Sequence, residues 1–187
     1  MGFLLFAYLL GSFSSAIALS KIMRFPDPRS EGSKNPGATN VMRIAGKKAA
    51  ALTLLGDLLK GFLSVLLASL FLHSPVIIAL TGLSAFLGHC FPVYYQFSGG
   101  KGVATAFGFI LAFNWPAGLI TALIWLIVAK LFKISSLAAL IAFSCLPLIY
   151  FGLYNELSIS IILAAMTLIM GYRHKQNILR IIRGEEK

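Results

Sequence analysis

From Phe3 to Tyr172 the chain is a succession of apolar runs with short polar interruptions, a pattern that leaves few folds open. The runs are Phe3–Met23, Ala49–Leu72, Val76–Phe91, Val103–Phe113, Ala117–Ala129, one from Ser135 to Leu153, and Leu157–Tyr172. A helix of about 20 apolar residues crosses a hydrocarbon core ~30 Å thick, and several of these runs have that length. Inside the core each backbone N–H and C=O must find its partner within the protein, which a helix provides by itself. Charged residues make up 12% of the 187, about half the share usual in soluble domains, so most of the chain belongs in the bilayer. The expectation is an all-α integral membrane protein, residues 1–187 forming a single transmembrane domain of seven helices.

The cations set the orientation. Alternate connections put Lys21 to Lys48, Lys101, Lys130 with Lys133, and the tail from Arg173 on one side. The other side receives the N-terminus, His73-Ser74-Pro75, Asn114-Trp115-Pro116 and Tyr154-Asn155-Glu156, with no Lys or Arg. Lys and Arg accumulate in cytoplasmic loops, so the N-terminus is expected outside and the C-terminus in the cytoplasm. The net charge of +10 then belongs to membrane topology, and no nucleic-acid partner is expected. Val103–Phe113 and Ala117–Ala129 are short for spans. They cross if the first extends back toward Gly100 and the second forward to Phe132; otherwise they form a re-entrant hairpin beside five full spans. Met1–Ile22 lacks a basic start and a cleavage site, and reads as a retained span rather than a signal peptide. Cys90 and Cys145 read as packed free thiols, with neither metal-ligand spacing nor a disulfide framework.

Polar chemistry gathers in three stretches on the basic side. The first, Gly32 to Arg43, holds Ser33, Asn35, Thr39 and Asn40, with Arg43 able to fork onto a phosphate. The second runs from Gly88-His89 to Gly99-Gly100-Lys101-Gly102 and Thr105. Its glycines let backbone N–H groups converge on an anion, with a helix start and Lys101 aimed at the same place. In the third, His174, Asn177 and Arg180 share a helix face at i, i+3 spacing, unless the segment is only a basic interfacial helix. Ser135-Ser136 open a helix on the same side, as caps or as donors. Asp57 and Lys60, inside an apolar run, are expected to pair with each other. There is no HExxH, no clustered carboxylates and no Gly-x-Ser-x-Gly elbow, so no metal site, no cofactor and no Asp–His dyad are expected. A phosphate-handling transferase and a small transporter of phosphorylated solutes both fit these residues. The one-sided clustering of donors favours the transferase.

These stretches, the third running on from His174-Lys175-Gln176-Asn177-Ile178 to Gly184-Glu185, together with Gly11-Ser12 and Gly56-Asp57-Leu58-Leu59-Lys60-Gly61, resemble in order the signature motifs of the bacterial acyl-phosphate-dependent glycerol-3-phosphate acyltransferases, the PlsY family. The resemblance covers essentially the whole chain. It implies a seven-span inner-membrane enzyme working at the cytoplasmic face. Such an enzyme passes a fatty acyl group from acyl phosphate to the 1-hydroxyl of glycerol 3-phosphate, giving lysophosphatidic acid and inorganic phosphate. Ser33, Arg43, Lys101 and His174 are the implied catalytic residues. Asn35, Thr39, Asn40, His89, Gly99, Gly100, Gly102, Thr105, Ser135, Ser136 and Asn177 are the implied substrate contacts. Partners are the bilayer and the two substrates, and a monomer is expected. The proton acceptor is either His174 or a substrate phosphate oxygen, the latter favoured for want of a dyad. Lys34 stands where the family generally has glycine, Ser98 where it has lysine, and Phe13-Ser14 where proline is common.

Overall fold

The computed structural model describes residues 2–186, and among them there are helices and no strand. The helices are α1 (Gly2–Ser12), α2 (Ser15–Met23), α3 (Ala38–Phe71), α4 (Pro75–Cys90), α5 (Val103–Phe113), α6 (Trp115–Phe132), α7 (Ser135–Tyr154), α8 (Leu157–Arg173) and α9 (Lys175–Ile182). A short 3-10 turn at Val93–Tyr95 follows α4.

Five segments are long and apolar enough to cross a bilayer: α1 with α2, α3, α4 with its 3-10 turn, α6 and α7. Joined α8 and α9 give a sixth, bent by 65°. Helix α5 has 11 residues, about 16 Å, or half a hydrocarbon core. The expected extension of this run back to Gly100 does not occur, because Gly102 caps α5 and the residues before it stay irregular. The forward extension of the next run does occur, α6 ending at Phe132.

Two expected boundaries also move. The first apolar run is two helices: Ser14 caps α2 by accepting from the Ile17 N–H at 3.4 Å. The carbonyl of Phe13, freed by that break, accepts from Lys60 Nζ at 2.8 Å. A broken helix in hydrocarbon persists only where such a partner exists. Helix α3 starts at Ala38, not Ala49, so half of the first polar stretch is helical and kinks at Gly46, where φ is 79°. Polarity was the signal for a loop, but Asn40 and Val41 turn inward while Met42 and Arg43 face out, which makes an amphipathic turn.

The exterior is the apolar side of this fold. Leu5, Leu70, Leu131, Leu148 and Leu168 are exposed, whereas Thr53, Asp57, Lys60, Ser64 and Thr105 are buried. That inversion suits a lipid solvent, in which small and polar residues let helices approach and bond to one another. The main core is formed by α4, α5, α7 and α8 around Phe86, Phe109, Phe143, Leu163 and Met166. Helices α3 and α5 cross at Gly61 and Gly108, where an added Cβ on either would meet the backbone of the other helix.

Candidate active site

After α4 the chain passes through the left-handed residues Gln96 and Phe97 and enters the irregular segment Gly99–Gly102. Gly99, Gly100 and Gly102 are buried, as irregular backbone beside hydrocarbon must be. The Gly100 N–H donates to the His89 carbonyl at 3.1 Å. From α8, Arg173 donates through Nε to the Gly100 carbonyl at 3.0 Å and through Nη2 to the Gly99 carbonyl at 2.6 Å. Its guanidinium carbon lies 5.3 Å from the Phe91 ring centroid. Lys101, half-buried at the head of this loop, has its pKa lowered to about 8. Burial is the main cause; the nearby cations Arg180, Arg43 and Arg173 add to it, and Glu186 opposes them.

The bend between α8 and α9 supplies the facing groups. His174 is the hinge residue, and its Nδ1 lies 2.8 Å from the Met170 carbonyl. A carbonyl can only accept, so this contact places the ring proton on Nδ1 and leaves Nε2 as an acceptor. Burial pushes His174 down to about 4, against the Met170 carbonyl, which favours the charged ring, and the neighbouring Lys101 and Arg173 push it further down. From the tail, the Glu186 carboxylate accepts from Ser136 Oγ at 2.7 Å, from Arg180 Nε and from Asn177 Nδ2. Burial opposes ionisation of Glu186, but the bonds from Arg180, Asn177 and Ser136 outweigh it and hold its pKa below the usual carboxylate value.

The loop before α3 leans over the same end of the molecule. Asp27 and Arg29 pair at 2.7 Å, and Arg29 lies 5.6 Å from the centroid of the Tyr95 ring, which ties this loop to the connection leading into the glycines. Asn40 is its staple: Oδ1 accepts from the Ser33 N–H at 2.8 Å, and Nδ2 donates to the carbonyls of Pro28 and Glu31. Ser33 and Thr39 are exposed and Asn35 is half-buried. Lys34 sits at φ 57°, a left-handed conformation that costs a side-chain-bearing residue roughly 1–2 kcal/mol. That is a backbone reason for glycine to be the usual residue there.

A glycerol-3-phosphate acyltransferase family model matches residues 1–184. The chain belongs to the glycerol-3-phosphate acyltransferase family. Among relatives of that name, the one from Methylococcus capsulatus is 51% identical over 97% of this chain and 91% of its own length. The one from Halorhodospira halophila is also 51% identical, over 96% of this chain and 91% of its own. The fold matches the crystal structure of PlsY (YgiH), an integral membrane glycerol 3-phosphate acyltransferase, in its glycerol 3-phosphate form. The TM-score is 0.94 at 36% identity, over all of this chain and 93% of that one. The lysophosphatidic acid form of that protein matches with a TM-score of 0.90.

In this family member the structure brings Lys101, Arg43, His174, Asn177 and Ser136 into one neighbourhood. Ser135 is exposed, outside the Ser136–Glu186 contact. His89 and Asn40 point elsewhere: His89 is buried beneath the glycines facing Asp57, and Asn40 is spent on its own loop. Thr105 is buried, and its hydroxyl has no hydrogen-bond partner among the described residues. Sequence reasoning missed Arg173 and Glu186. Arg173 adjoins His174, but a lone arginine at a span end reads as a topology charge. Glu186 directly follows the Gly184-Glu185 pair of the third motif, but no spacing to Ser136, Asn177 or Arg180 singled it out from its neighbour Glu185.

Proposed function

We propose that this protein acylates the 1-hydroxyl of glycerol 3-phosphate with acyl phosphate as donor, releasing lysophosphatidic acid and inorganic phosphate. The observation that carries the reading is the crowding of Lys101, Arg43, Arg173 and Arg180 around a glycine loop, with Glu186 as the carboxylate among them. Like charges gathered in a half-buried site are stabilised by polyanions, and this reaction brings two phosphates together. The glycine loop and Lys101 hold the donor phosphate; Ser33, Arg43, His174 and Asn177 hold glycerol 3-phosphate. The site works on the cytoplasmic face of a bacterial inner membrane, in a seven-crossing topology with the N-terminus outside. The one-sided distribution of Lys and Arg supports that placement.

The hydroxyl oxygen forms the new ester bond to the acyl carbon, the acyl C–O bond to phosphate breaks, and phosphate leaves with the electron pair. Phosphate is a good leaving group, so positioning and charge stabilisation suffice. The hydroxyl proton goes to a phosphate oxygen. Burial holds the His174 imidazole well below its usual range, so a phosphate oxygen is the better proton acceptor. His174 Nε2 then orients the hydroxyl without keeping its proton. His174→Gln should raise KM for glycerol 3-phosphate while kcat stays within about tenfold. A loss of kcat beyond about a hundredfold would make His174 the base.

Charge on Lys101 sets the pH profile. The ammonium is present below about pH 8 and lost above it. Accordingly kcat/KM for acyl phosphate should fall on an alkaline limb with an apparent pKa near 8, and Lys101→Arg should remove that limb whatever activity it retains. Donor identity is tested by giving the purified protein acyl phosphate, acyl-CoA or acyl carrier protein thioester beside glycerol 3-phosphate. Turnover with acyl phosphate alone is expected. Ping-pong kinetics or a trapped acyl-enzyme would contradict direct transfer.

A further inference from the structure

Helix α9 is built differently from the spans it follows. Those helices are apolar nearly all round, whereas α9 divides its residues between two faces. It leaves α8 at a bend of 65°, so the chain turns from the direction of α8 toward the plane of the leaflet. At about 3.6 residues per turn, Ile178, Ile181, Ile182 and Leu179 fall on one side and Gln176, Asn177 and Arg180 on the other. Lys175, Leu179 and Arg183 form a row at i, i+4 spacing. Burial adds a second division: Asn177 is buried and Ile178, Arg180 and Ile181 are half-buried, while Lys175, Leu179, Ile182 and Arg183 are exposed.

Little inside the protein uses that exposed row. Leu179 is 53% exposed and Ile182 75%. Lys175 lies over the Tyr172 ring, 5.0 Å from its centroid, and among the described residues neither Lys175 nor Arg183 forms an ion pair. Gly184, at φ 68°, turns the chain back, and Glu186 returns to Ser136, Asn177 and Arg180 on the inner side. That carboxylate serves the cations of the site and leaves the outer two uncompensated. Leu168 and Tyr172, one turn apart on α8 and both exposed, continue the apolar strip into the lipid-facing exterior. Apolar side chains interleaved with cations, at the end of a span and turned toward the leaflet, match the boundary between acyl chains and anionic headgroups.

We infer that the outer face of α9 is a docking surface for anionic phospholipid, with Leu179 and Ile182 entering the chain boundary and Lys175 and Arg183 meeting headgroup phosphates. Docking also seats the site, because His174 is the hinge between α8 and α9 and Asn177 lies on the inner face of the docked helix. The seating rests on the proposed role of His174 and Asn177 in holding glycerol 3-phosphate, whereas the docking stands without it. Continuity with the lipid-facing strip of α8 favours a bilayer over a soluble acidic partner, which would leave Leu179 and Ile182 in water whenever it dissociated.

The test places full-length wild type and a Lys175→Gln/Arg183→Gln double variant in lipid nanodiscs. One set is phosphatidylcholine alone, and the other carries about one third phosphatidylglycerol. Both substitutions lie on exposed side chains, so the fold is expected to stand. In the anionic discs, amide hydrogen exchange over residues 175–183 should be at least about fivefold slower in wild type than in the variant. In neutral discs the two proteins should exchange alike, and high salt should shrink the difference in anionic ones. Comparing two proteins in the same disc cancels the effect of surface charge on exchange itself. Equal exchange in anionic discs, or the same difference in neutral ones, overturns the docking surface. Turnover at saturating substrates is the second readout, since saturation removes the leaflet's repulsion of a dianionic acceptor. The variant's kcat should be about two- to fivefold below wild type in anionic discs and equal to it in neutral discs. Slower exchange with unchanged kcat overturns the seating. If wild type fails to acylate in either disc, the reading of the site falls, and the exchange result still decides the docking.

Discussion

Lys101→Ala should lower kcat/KM for acyl phosphate by about 10²–10³-fold, measured as phosphate released with glycerol 3-phosphate present. Two properties of the site set that size. Lys101 heads a buried glycine segment, so in the proposed reaction its ammonium would meet the leaving phosphate where water screens little. Its charge is also held against three neighbouring arginines, and a bound dianion relieves that repulsion most as charge develops on the leaving group. Lys101→Arg should recover only part of the loss, because a planar fork does not replace a point charge inside a tight loop. A loss below about tenfold for Lys101→Ala would move the leaving-group role to Arg43 or Arg180.

The largest effect on stability is expected from Gly108→Leu. At this α3–α5 crossing a Cβ on Gly108 would meet the Leu58 carbonyl and the Phe62 nitrogen, and one on Gly61 would meet the Thr105 carbonyl. These are backbone atoms of two helices in contact, so no rotamer change makes room. Forcing in a single methylene costs about 1–3 kcal/mol, and a whole isobutyl group exceeds what a domain with about 5–15 kcal/mol of stability can absorb. Because α5 carries Gly102 at its start, activity should go with the fold. The expected readout is loss of the monodisperse species on gel filtration in detergent. Gly152→Ala is the control: nothing lies within 4 Å of its added Cβ, and α7 should hold or gain slightly in thermal midpoint. Equal behaviour of the two variants would contradict the close-packed crossing.

The class of fold was legible because hydrocarbon imposes a length and a composition on anything that crosses it, and the runs carry both. Boundaries were legible where a breaker residue stood, as at Asn114, whose side chain caps α6. They were lost at Phe13-Ser14, since that break depends on a lysine 47 positions away. They were lost again at Ala38, since polar residues on one face of a helix resemble a loop in sequence. That Lys101, Arg43, His174 and Asn177 gather at one place could be anticipated, because glycines, donors and cations in short stretches on one side describe a candidate anion site. His89 and Asn40 could be picked out but not aimed. Whether a histidine faces substrate or Asp57 depends on how α3 packs on α4, which no local pattern records. Arg173 and Glu186 act across the fold, on backbone carbonyls and on side chains from α7 and α9, and so leave no spacing to read.

The central claim is direct acyl transfer from acyl phosphate to glycerol 3-phosphate at one site. It is tested most directly by purified protein given acyl phosphate, with phosphate and lipid product counted with and without glycerol 3-phosphate. The account predicts that phosphate release requires glycerol 3-phosphate and matches lysophosphatidic acid one for one. Release that is independent of glycerol 3-phosphate, or no turnover by folded protein, would contradict it. The second outcome, joined to uptake of labelled glycerol 3-phosphate into sealed vesicles, would make the basic cluster a transport site.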